Sequence, residues 1–334
     1  MNTPIRVAIN GFGRIGRNLF RLLINHQDIE VVAINDLSDT RTLSHLLKYD
    51  SIHGVLTHDI SYSEEHIIIN NKSIPLSSQE KPENCNWKNY AVDIVVEATG
   101  KFRTKSAVQK HIDAGAKKVL LSAPPIEDSI KTIVLGVNDH ILDGSERIIS
   151  NASCTTNNAA PMIKIIKELC GIEQAYITTI HSYTTDQSLH DQPHKDLRRA
   201  RAASQSIVPT TTGAAKALTK IFPELSDVIG GCGIRVPVPD GSLTDITFNV
   251  KRETSIEEIN EAFKKASETY LKGILDYTED PIVSVDILGN PNSCLFDSLM
   301  TSVIGKMVKI IGWYDNEIGY SNRIIDLIIN IYKK

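Results

Sequence analysis

The chain has 334 residues, of which 41% are hydrophobic and 23% are charged, and its formal net charge at pH 7 is −4. This length supports a packed core and predicts about two domains. The slightly acidic balance, without any block of basic residues, argues against binding of nucleic acid or of an anionic membrane surface. Apolar runs stay well short of the ~20 residues that a membrane span requires.

The cysteine pattern indicates the cellular compartment and whether a metal site or a redox motif is to be expected. Five cysteines are scattered along the chain, and no pair has the spacing of a zinc site or of a redox motif. Free thiols are typical of a reducing compartment, and the strand pattern that begins at Ile5 leaves no room for a signal peptide. We therefore predict a cytoplasmic protein without a metal centre.

The first half of the chain alternates between strand and helix patterns. Helix patterns follow Gly16 and cover 105–114, and short apolar runs between them indicate buried strands. These predicted strands are residues 5–10, 29–36, 92–98, 118–123, 132–138 and 148–150. Strands that alternate with helices predict parallel βαβ units, and hence a doubly wound α/β sheet over residues 1–150.

The pattern changes after Cys154, where the strand-like runs become longer and more alternating. One helix is predicted from the capping box Ser255-Ile256-Glu257-Glu258, and a last apolar helix covers 317–332. The predicted strands are residues 175–183, 233–238, 244–250, 282–288 and 306–315. We predict an α+β catalytic domain with a mainly antiparallel sheet over 151–316, while the C-terminal helix, 317–334, joins the first domain.

A glycine motif marks a nucleotide site. Gly11, Gly13 and Gly16 form G-x-G-x-x-G between the first strand and its helix, and Asp36 ends the second strand. This context is typical of a Rossmann-type dinucleotide domain, in which the acidic residue binds the adenosine ribose. A carboxylate there favours NAD over NADP. The alternatives are a glycine-rich turn without a ligand and, for Asp36, a simple strand-end cap.

One cysteine stands where a nucleophile would be activated. Cys154 lies in Ser150-Asn151-Ala152-Ser153-Cys154-Thr155-Thr156-Asn157, just before an apolar stretch with helical periodicity. A helix N-terminus favours the thiolate and offers N–H groups to an oxyanion. His181 ends a strand-like run, and within hydrogen-bond reach it would form a thiolate–imidazolium pair able to attack an aldehyde. The alternative is that Cys154 is a small buried hydrophobic residue.

Two further groups could hold anions. The run Thr210-Thr211-Thr212-Gly213 precedes a helix pattern, and its alternative role is a helix N-cap. Arg235 lies inside an apolar strand, where a charge needs an anionic ligand or a structural salt bridge. Nearby, Arg198, Arg199 and Arg201 could be either surface charges or members of the site.

Taken in order, these motifs make the chain resemble the phosphorylating glyceraldehyde-3-phosphate dehydrogenases along nearly its whole length. The resemblance is carried chiefly by I-N-G-F-G-R-I-G-R (9–17), S-N-A-S-C-T-T-N (150–157), H-S-Y-T-T-D-Q (181–187), P-T-T-T-G-A-A-K-A (209–217) and W-Y-D-N-E-I-G-Y-S (313–321). It implies NAD-dependent conversion of glyceraldehyde 3-phosphate and inorganic phosphate into 1,3-bisphosphoglycerate, by a homotetramer. The alternatives are an erythrose-4-phosphate dehydrogenase and a non-enzymatic binding protein. The pattern of Thr184 and Thr212-Gly213 favours the conversion of glyceraldehyde 3-phosphate over that of erythrose 4-phosphate.

The resemblance also implies a role for individual residues. Cys154 is expected to form a thiohemiacetal and then a thioester, with His181 as the base. The substrate's phosphate is assigned to Thr184, Asp186 and Arg235, and inorganic phosphate to Ser153, Thr155, Arg199, Thr212 and Gly213. The cofactor is assigned to Arg14 and Ile15 at the pyrophosphate, Ser122 on the adenine side, Asn316 at the nicotinamide carboxamide and Tyr320 near that ring.

Overall fold

A computed structural model describes residues 3–333, which divide into two compact units. The first unit extends to Ile133 and also contains His140–Ala152 and the part of the last helix from Ile324 onward. The second unit consists of Val134–Asp139 and Ser153–Arg323. The functional division into a cofactor domain and a catalytic domain, with the boundaries given above, stays a prediction.

The first unit is built around one largely parallel sheet. The helices of this unit are α1 (Arg14–Leu23), α2 (Thr40–Lys48) and α3 (Lys105–Asp113). The strands of the unit are β1 (Ile5–Asn10), β2 (Ile29–Asn35), β3 (Tyr49–Asp50), β4 (Gly54–Val55), β5 (Ile60–Tyr62), β6 (His66–Ile69), β7 (Lys72–Ser77), β8 (Ile94–Glu97), β9 (Lys118–Leu121), β10 (Lys131–Thr132) and β11 (Ile148–Ser150). Within the described residues the order of the main sheet is β10-β11-β9-β8-β1-β2-β7-β6-β5, in which the β5/β6 and β6/β7 pairs are antiparallel and the others parallel. β3 and β4 form a separate two-stranded antiparallel sheet. The predicted doubly wound, Rossmann-type class is confirmed.

The carboxyl ends of three neighbouring strands are tied together by polar side chains. Asn10 lies opposite Asn35 on one side and Glu97 on the other. The Asn35 amide donates to Asn10 Oδ1 at 2.8 Å, and the Asn10 amide donates to Glu97 Oε2 at 2.5 Å. Because all three side chains are buried, these bonds satisfy polar groups that would otherwise be costly. They hold in place the strand edge from which Gly11 leaves.

The second unit contains the predicted, mainly antiparallel sheet. Its elements are α4 (Cys154–Cys170), β12 (Ile172–Ser182), β13 (Val208–Thr210), α5 (Ala214–Ile221), β14 (Ile229–Val236), β15 (Ser242–Val250), α6 (Ile256–Glu268), β16 (Leu275–Thr278), β17 (Cys294–Asp297), β18 (Ser302–Ile304), β19 (Met307–Tyr314) and the start of α7 (Ile318–Lys333). Among the described residues the path is β13-β14-β12-β15-β19-β17-β16, with β18 beside β19. The pairs β12/β14 and β16/β17 are parallel and the others antiparallel.

Helix α4 lies very close to the sheet because Gly312 has no side chain. A Cβ at Gly312 would meet Cys294 Sγ and Met162 Sδ at 2.7 Å each. Met162 and most other apolar residues of α4 are fully buried. This close packing sets the position of Cys154, the first residue of α4, relative to the sheet.

The strand predicted over 132–138 is wrong beyond its first residue. β10 ends at Thr132, and the chain then turns. Gly136 has φ +76°, and the Asn138 side chain accepts a bond from Val134 N at 2.7 Å. Asp139 similarly accepts from Gly136 N at 2.9 Å. Side chains that bond the local backbone compete with strand pairing, and this turn chemistry overrode the apolar pattern.

The strand predicted over 282–288 is also wrong. The segment contains a 3₁₀ helix, Ser284–Ile287, whose start is fixed by a bond from Val283 N to Asp286 Oδ2 at 2.8 Å. Val283 and Val285, which produced the alternating pattern, are both more than half exposed. The alternation therefore does not mark a buried face.

The helices are of moderate length, with 17 residues in α4 and 16 in α7. None of the helices in residues 3–333 combines the length and the apolar character that crossing a bilayer would require.

The two later glycines of the G-x-G-x-x-G motif differ in what surrounds them, and this yields a test of the fold. A Cβ at Gly16 would lie 2.2 Å from Gly11 O, so Gly16→Ala should lower the free energy of unfolding by about 1–3 kcal/mol. Gly13→Ala is the matched control, since no described atom lies within 4 Å of its added Cβ. Urea unfolding midpoints compare the two. Equal midpoints for both variants would contradict the packing role of Gly16.

Candidate active site

The glycine turn of the first unit has the features of a pyrophosphate site. Gly11 has φ +93°, and a Cβ there would clash with Thr99 N at 2.7 Å. Gly13 occupies the N-cap of α1 without a side-chain bond to the helix, and the space beside it is open among the described residues. Uncapped N–H groups at a helix start bind phosphate. The turn at the start of α1, where Arg14 and Ile15 lie, therefore fits the phosphates of a dinucleotide.

Asp36 follows β2 directly and is partly exposed. Its carboxylate accepts bonds from Phe12 N at 2.7 Å and Ser38 N at 3.0 Å. The strand-end cap considered above is therefore present. Each carboxylate oxygen still has a further lone pair, so the same group can accept bonds from ribose hydroxyls. Ser122, predicted on the adenine side, donates to Glu97 O at 3.0 Å.

In the second unit a thiol and an imidazole lie side by side. Cys154 begins α4, and His181 is the penultimate residue of β12. The distance from Cys154 Sγ to His181 Nε2 is 3.5 Å. Cys154 is partly exposed, whereas His181 is buried. The predicted reach between the two side chains is therefore present.

A buried tyrosine, which the sequence reasoning did not single out, holds this pair in place. Tyr314 OH lies 2.9 Å from Thr155 Oγ1 and 3.0 Å from Thr179 Oγ1. Its ring packs edge-on against His181, with the ring centres 5.9 Å apart. Tyr314 thus links the first turn of α4 to β12. It lies in the run W-Y-D-N (313–316), which carried the resemblance without indicating this function.

Burial and one cation determine the charge of the pair. Burial raises the pKa of the Cys154 thiol, although Arg235 opposes this effect. Burial also lowers the pKa of His181 to about 3, and Arg235 adds to that effect. Burial therefore disfavours the charged form of each group, and Arg235 favours the thiolate while it disfavours the imidazolium. The thiolate–imidazolium pair stays a prediction.

Arg235 is the residue opposite His181 in the parallel pairing of β14 with β12. Its Nη1 lies 2.6 Å from His181 Nδ1 and 2.9 Å from Ser182 O. These contacts are to an imidazole and a carbonyl rather than to a carboxylate. The structural salt bridge that was the alternative for Arg235 is therefore not what holds it.

A second cation lies in a separate cluster. Arg199 Nη1 contacts Asp186 Oδ2 at 2.6 Å, and Arg199 Nε donates to Thr210 Oγ1 at 3.0 Å. The Thr184 hydroxyl donates to Asp186 as well. Burial alone would raise the pKa of Asp186, but the Thr184 bond and the nearby guanidiniums outweigh it and lower that pKa. Arg199, which was assigned to one phosphate pocket, thus contacts Asp186, which was assigned to the other. The role of Arg199 toward phosphate stays a prediction.

The hydroxyls predicted to bind inorganic phosphate also perform structural functions. Ser153 caps α4 by accepting a bond from Thr156 N at 3.2 Å. Thr212 Oγ1 accepts from Ala214 N at 3.2 Å, although the N-cap of α5 is Gly213, without a side-chain cap bond. Gly213 leaves open space beside α5 among the described residues. Their roles toward phosphate stay predictions.

Asn316 is held in one orientation by two serines. Its Oδ1 accepts bonds from Ser182 Oγ at 2.9 Å and from Ser242 Oγ at 2.6 Å. With the oxygen so engaged, the amide NH₂ is the end that can donate to a ligand. This orientation suits a carboxamide oxygen, as predicted. Tyr320 is buried in α7, and its predicted role near the nicotinamide stays a prediction.

Comparison with known proteins supports the resemblance stated above. A family model described as the NAD binding domain of glyceraldehyde 3-phosphate dehydrogenase matches residues 5–105, and one described as its C-terminal domain matches residues 153–316. Glyceraldehyde-3-phosphate dehydrogenase 2 of Streptomyces avermitilis is 55% identical over 328 residues, covering 97% of this chain and 98% of the relative. The Geobacillus stearothermophilus and Bacillus subtilis relatives are 52% and 50% identical, each covering 99% of both chains. The predicted resemblance is confirmed.

The bonds of Tyr314 predict a measurable contribution to stability. Tyr314→Phe removes the partner of two buried threonine hydroxyls and should lower the free energy of unfolding by about 1–3 kcal/mol. Tyr176→Phe is the matched control, because Tyr176 is 53% exposed. Chemical unfolding measures both variants. If Tyr314→Phe has the same free energy of unfolding as the control, the hydrogen bonds of Tyr314 do not stabilise the site as described.

Proposed function

Because the chain belongs to the glyceraldehyde 3-phosphate dehydrogenase family, we propose that it oxidises glyceraldehyde 3-phosphate and captures the product with inorganic phosphate as 1,3-bisphosphoglycerate. NAD is the cofactor. The observation that carries the proposal is the 3.5 Å contact between Cys154 Sγ and His181 Nε2, with the guanidinium of Arg235 beside His181.

The first step forms a carbon–sulfur bond. Cys154 Sγ attacks the aldehyde carbon, while the thiol proton passes to His181 Nε2 and from there to the aldehyde oxygen. The product is a neutral thiohemiacetal, so no net charge accumulates in a pocket that disfavours both thiolate and imidazolium.

The oxidation step needs a base and a hydride acceptor. NAD supplies the acceptor when it is bound. His181 Nε2 takes the hydroxyl proton of the thiohemiacetal, and the carbon becomes a thioester on Cys154. An oxygen of inorganic phosphate then attacks the thioester carbonyl. The carbon–sulfur bond breaks, the acyl phosphate leaves, and the sulfur regains a proton.

In this proposal, two arginine side chains bind two phosphate groups. Arg235 with Thr184 binds the substrate's phosphate, and Arg199 with Ser153, Thr155, Thr212 and Gly213 binds inorganic phosphate. Asp186, which was assigned to the first pocket, would repel a phosphate by its own charge. Its bond to Arg199 at 2.6 Å supports a positioning role instead, orienting that guanidinium.

The remaining predicted features form part of the same proposal. Arg14 and Ile15 would act at the pyrophosphate, Ser122 on the adenine side, and Asn316 and Tyr320 at the nicotinamide. We further propose a homotetramer that neither binds nucleic acid nor associates with membranes, and that works in the cytoplasm. Five free cysteines support a reducing compartment.

The nucleophile is tested by its removal. Cys154→Ser should lower phosphate-dependent NADH formation from glyceraldehyde 3-phosphate by at least about 10³-fold, because a serine hydroxyl is far less acidic than a thiol. NAD binding, followed by fluorescence titration, should be unchanged. Cys232→Ser is the control, since Cys232 is also partly exposed and free. Turnover by Cys154→Ser at the rate of the control would falsify the assignment of Cys154 as the nucleophile. The same assay with erythrose 4-phosphate in place of glyceraldehyde 3-phosphate tests the alternative substrate.

The cofactor preference is tested at Asp36. Asp36→Ala removes the carboxylate that repels a 2′-phosphate and accepts the ribose hydroxyls. The ratio of kcat/KM for NAD to that for NADP should fall by at least about tenfold, which corresponds to about 1.4 kcal/mol. Asp39→Ala is the comparison variant, because Asp39 is a nearby exposed N-cap. An unchanged ratio in Asp36→Ala means that this carboxylate does not touch the ribose.

A further inference from the structure

A buried carboxylate lies where the strand order of the first sheet reverses. Glu97 ends β8, which pairs with β1, while β2 lies on the other side of β1. In doubly wound sheets, ligands bind in the crevice at this point of reversal, beyond the carboxyl ends of the strands. Glu97 is only 2% exposed, and a buried charge is costly unless hydrogen bonds satisfy it. The reaction steps proposed above make no use of this side chain.

One chain of hydrogen bonds reaches Glu97 through two asparagines. The backbone N–H of Gln79 donates to Asn35 Oδ1 at 2.8 Å, and the Asn35 NH₂ donates to Asn10 Oδ1, also at 2.8 Å. The Asn10 NH₂ then donates to Glu97 Oε2 at 2.5 Å. Because a backbone N–H only donates, the first bond fixes the orientation of each amide that follows. Every bond of this chain therefore points toward Glu97.

A second chain reaches the same oxygen from helix α3. Trp87 Nε1 lies 3.0 Å from His111 Nδ1, and His111 Nε2 lies 3.0 Å from Glu97 Oε2. An indole N–H only donates, so Nδ1 accepts and the ring proton is on Nε2, which donates it to Glu97. Both Trp87 and His111 are fully buried. The two chains thus begin at groups that only donate, and both end at one carboxylate.

The other oxygen of Glu97 holds the loop that follows β8. Oε1 accepts a bond from Thr99 N at 2.9 Å and another from the Thr99 hydroxyl. A Cβ at Gly11 would lie 2.7 Å from Thr99 N, so this loop packs directly against the glycine turn. The position of Thr99 therefore limits how closely the glycine turn can approach β8.

We propose that Glu97 is a positioning residue for the dinucleotide, and that Trp87 and His111 act through it. The carboxylate is the common acceptor of both chains and of the Thr99 loop. It thereby holds that loop and the glycine turn at the spacing in which the dinucleotide binds, without itself touching the cofactor. This inference rests on the proposed function only in taking NAD as the cofactor of the first unit.

An amide of the same shape cannot replace this carboxylate. Oε2 faces the N–H groups of Asn10 and His111, and Oε1 faces the N–H of Thr99. A glutamine turned either way would place its NH₂ against at least one of these donors. His111 cannot offer Nε2 as an acceptor while Trp87 donates to Nδ1. The Thr99 loop would move, since Asn10 and His111 lie within a strand and a helix.

Glu97→Gln therefore tests the proposal by separating binding from turnover. The Kd for NAD, measured by calorimetry, and the KM for NAD should each rise by at least about tenfold, because hydrogen bonds to a charged group are lost. The kcat at saturating NAD should stay within about twofold of the wild type, since the reacting groups are untouched. Glu83→Gln is the matched control, because Glu83 is exposed and paired with Lys110. An unchanged Kd in Glu97→Gln, or a loss confined to kcat, overturns the proposal.

A double-mutant cycle tests whether Trp87 acts through Glu97. Trp87→Phe should raise the Kd for NAD by about threefold in the wild-type background, the effect of losing one neutral hydrogen bond. In the Glu97→Gln background the same change should have almost no further effect, because the acceptor is already lost. Equal effects in the two backgrounds contradict an action through Glu97 and indicate only a general loss of core packing.

Nitrogen NMR of the protein labelled with ¹⁵N-histidine tests the direction of the bonds without altering Glu97, and it decides the question even if Glu97→Gln does not fold. His111→Asn identifies the signals of His111. In the wild type, Nδ1 should appear in the unprotonated range and Nε2 in the N–H range. A proton on Nδ1 would mean that Trp87 does not donate to it, and this would overturn the proposal.

The binding measurement is independent of the proposed reaction, because it requires no turnover. Weaker NAD binding by Glu97→Gln, in a protein that does not oxidise glyceraldehyde 3-phosphate, would support the positioning role and refute the activity. Unchanged NAD binding by Glu97→Gln in an active enzyme would refute the positioning role and leave the activity standing.

Discussion

The parallel pairing of β12 with β14 is the constraint on which the chemistry of the second unit depends. This register places Arg235 opposite His181, at the end of the strand where the backbone of Ser182 is also available. Since β12 is flanked on its other side by β15, it cannot shift without breaking two ladders. A side chain at the end of a central strand is therefore held more firmly than one on a loop, and that precision suits a proton-transferring group.

Cys154 reaches this strand end because α4 is seated on the same sheet. Gly312 allows the helix to approach, and Tyr314, two residues further along β19, bonds Thr155 at the start of the helix. The nucleophile, the base and the tyrosine between them thus rest on regular elements rather than on mobile segments. This position also buries the nucleophile and the base, and burial disfavours charge on both groups.

Local features of the site could be predicted from the sequence, whereas relations between distant side chains could not. The G-x-G-x-x-G turn involves residues a few positions apart, and the structure has it. Of the predicted capping box at Ser255 the structure has the N-cap bond from Glu258 N, while the Glu258 carboxylate accepts from Arg252 instead. The contact of Cys154 with His181 was expected, but the charge state of the pair depends on burial and on Arg235, 54 positions from His181, which the sequence pattern does not reveal. Tyr314 was missed because a buried tyrosine in an apolar strand carries no distinguishing pattern. The strand predicted over 282–288 was wrong because the apolar residues alternate there without being buried as one face.

We propose that Cys154 carries the acyl group between oxidation and phosphate transfer. Mass spectrometry after mixing the enzyme with glyceraldehyde 3-phosphate and NAD, in the absence of phosphate, detects that acyl group. We expect one phosphoglyceroyl group per chain, located on the peptide that contains Cys154 and released when phosphate is added. NADH formation with no adduct, or with the adduct on another residue, would contradict it.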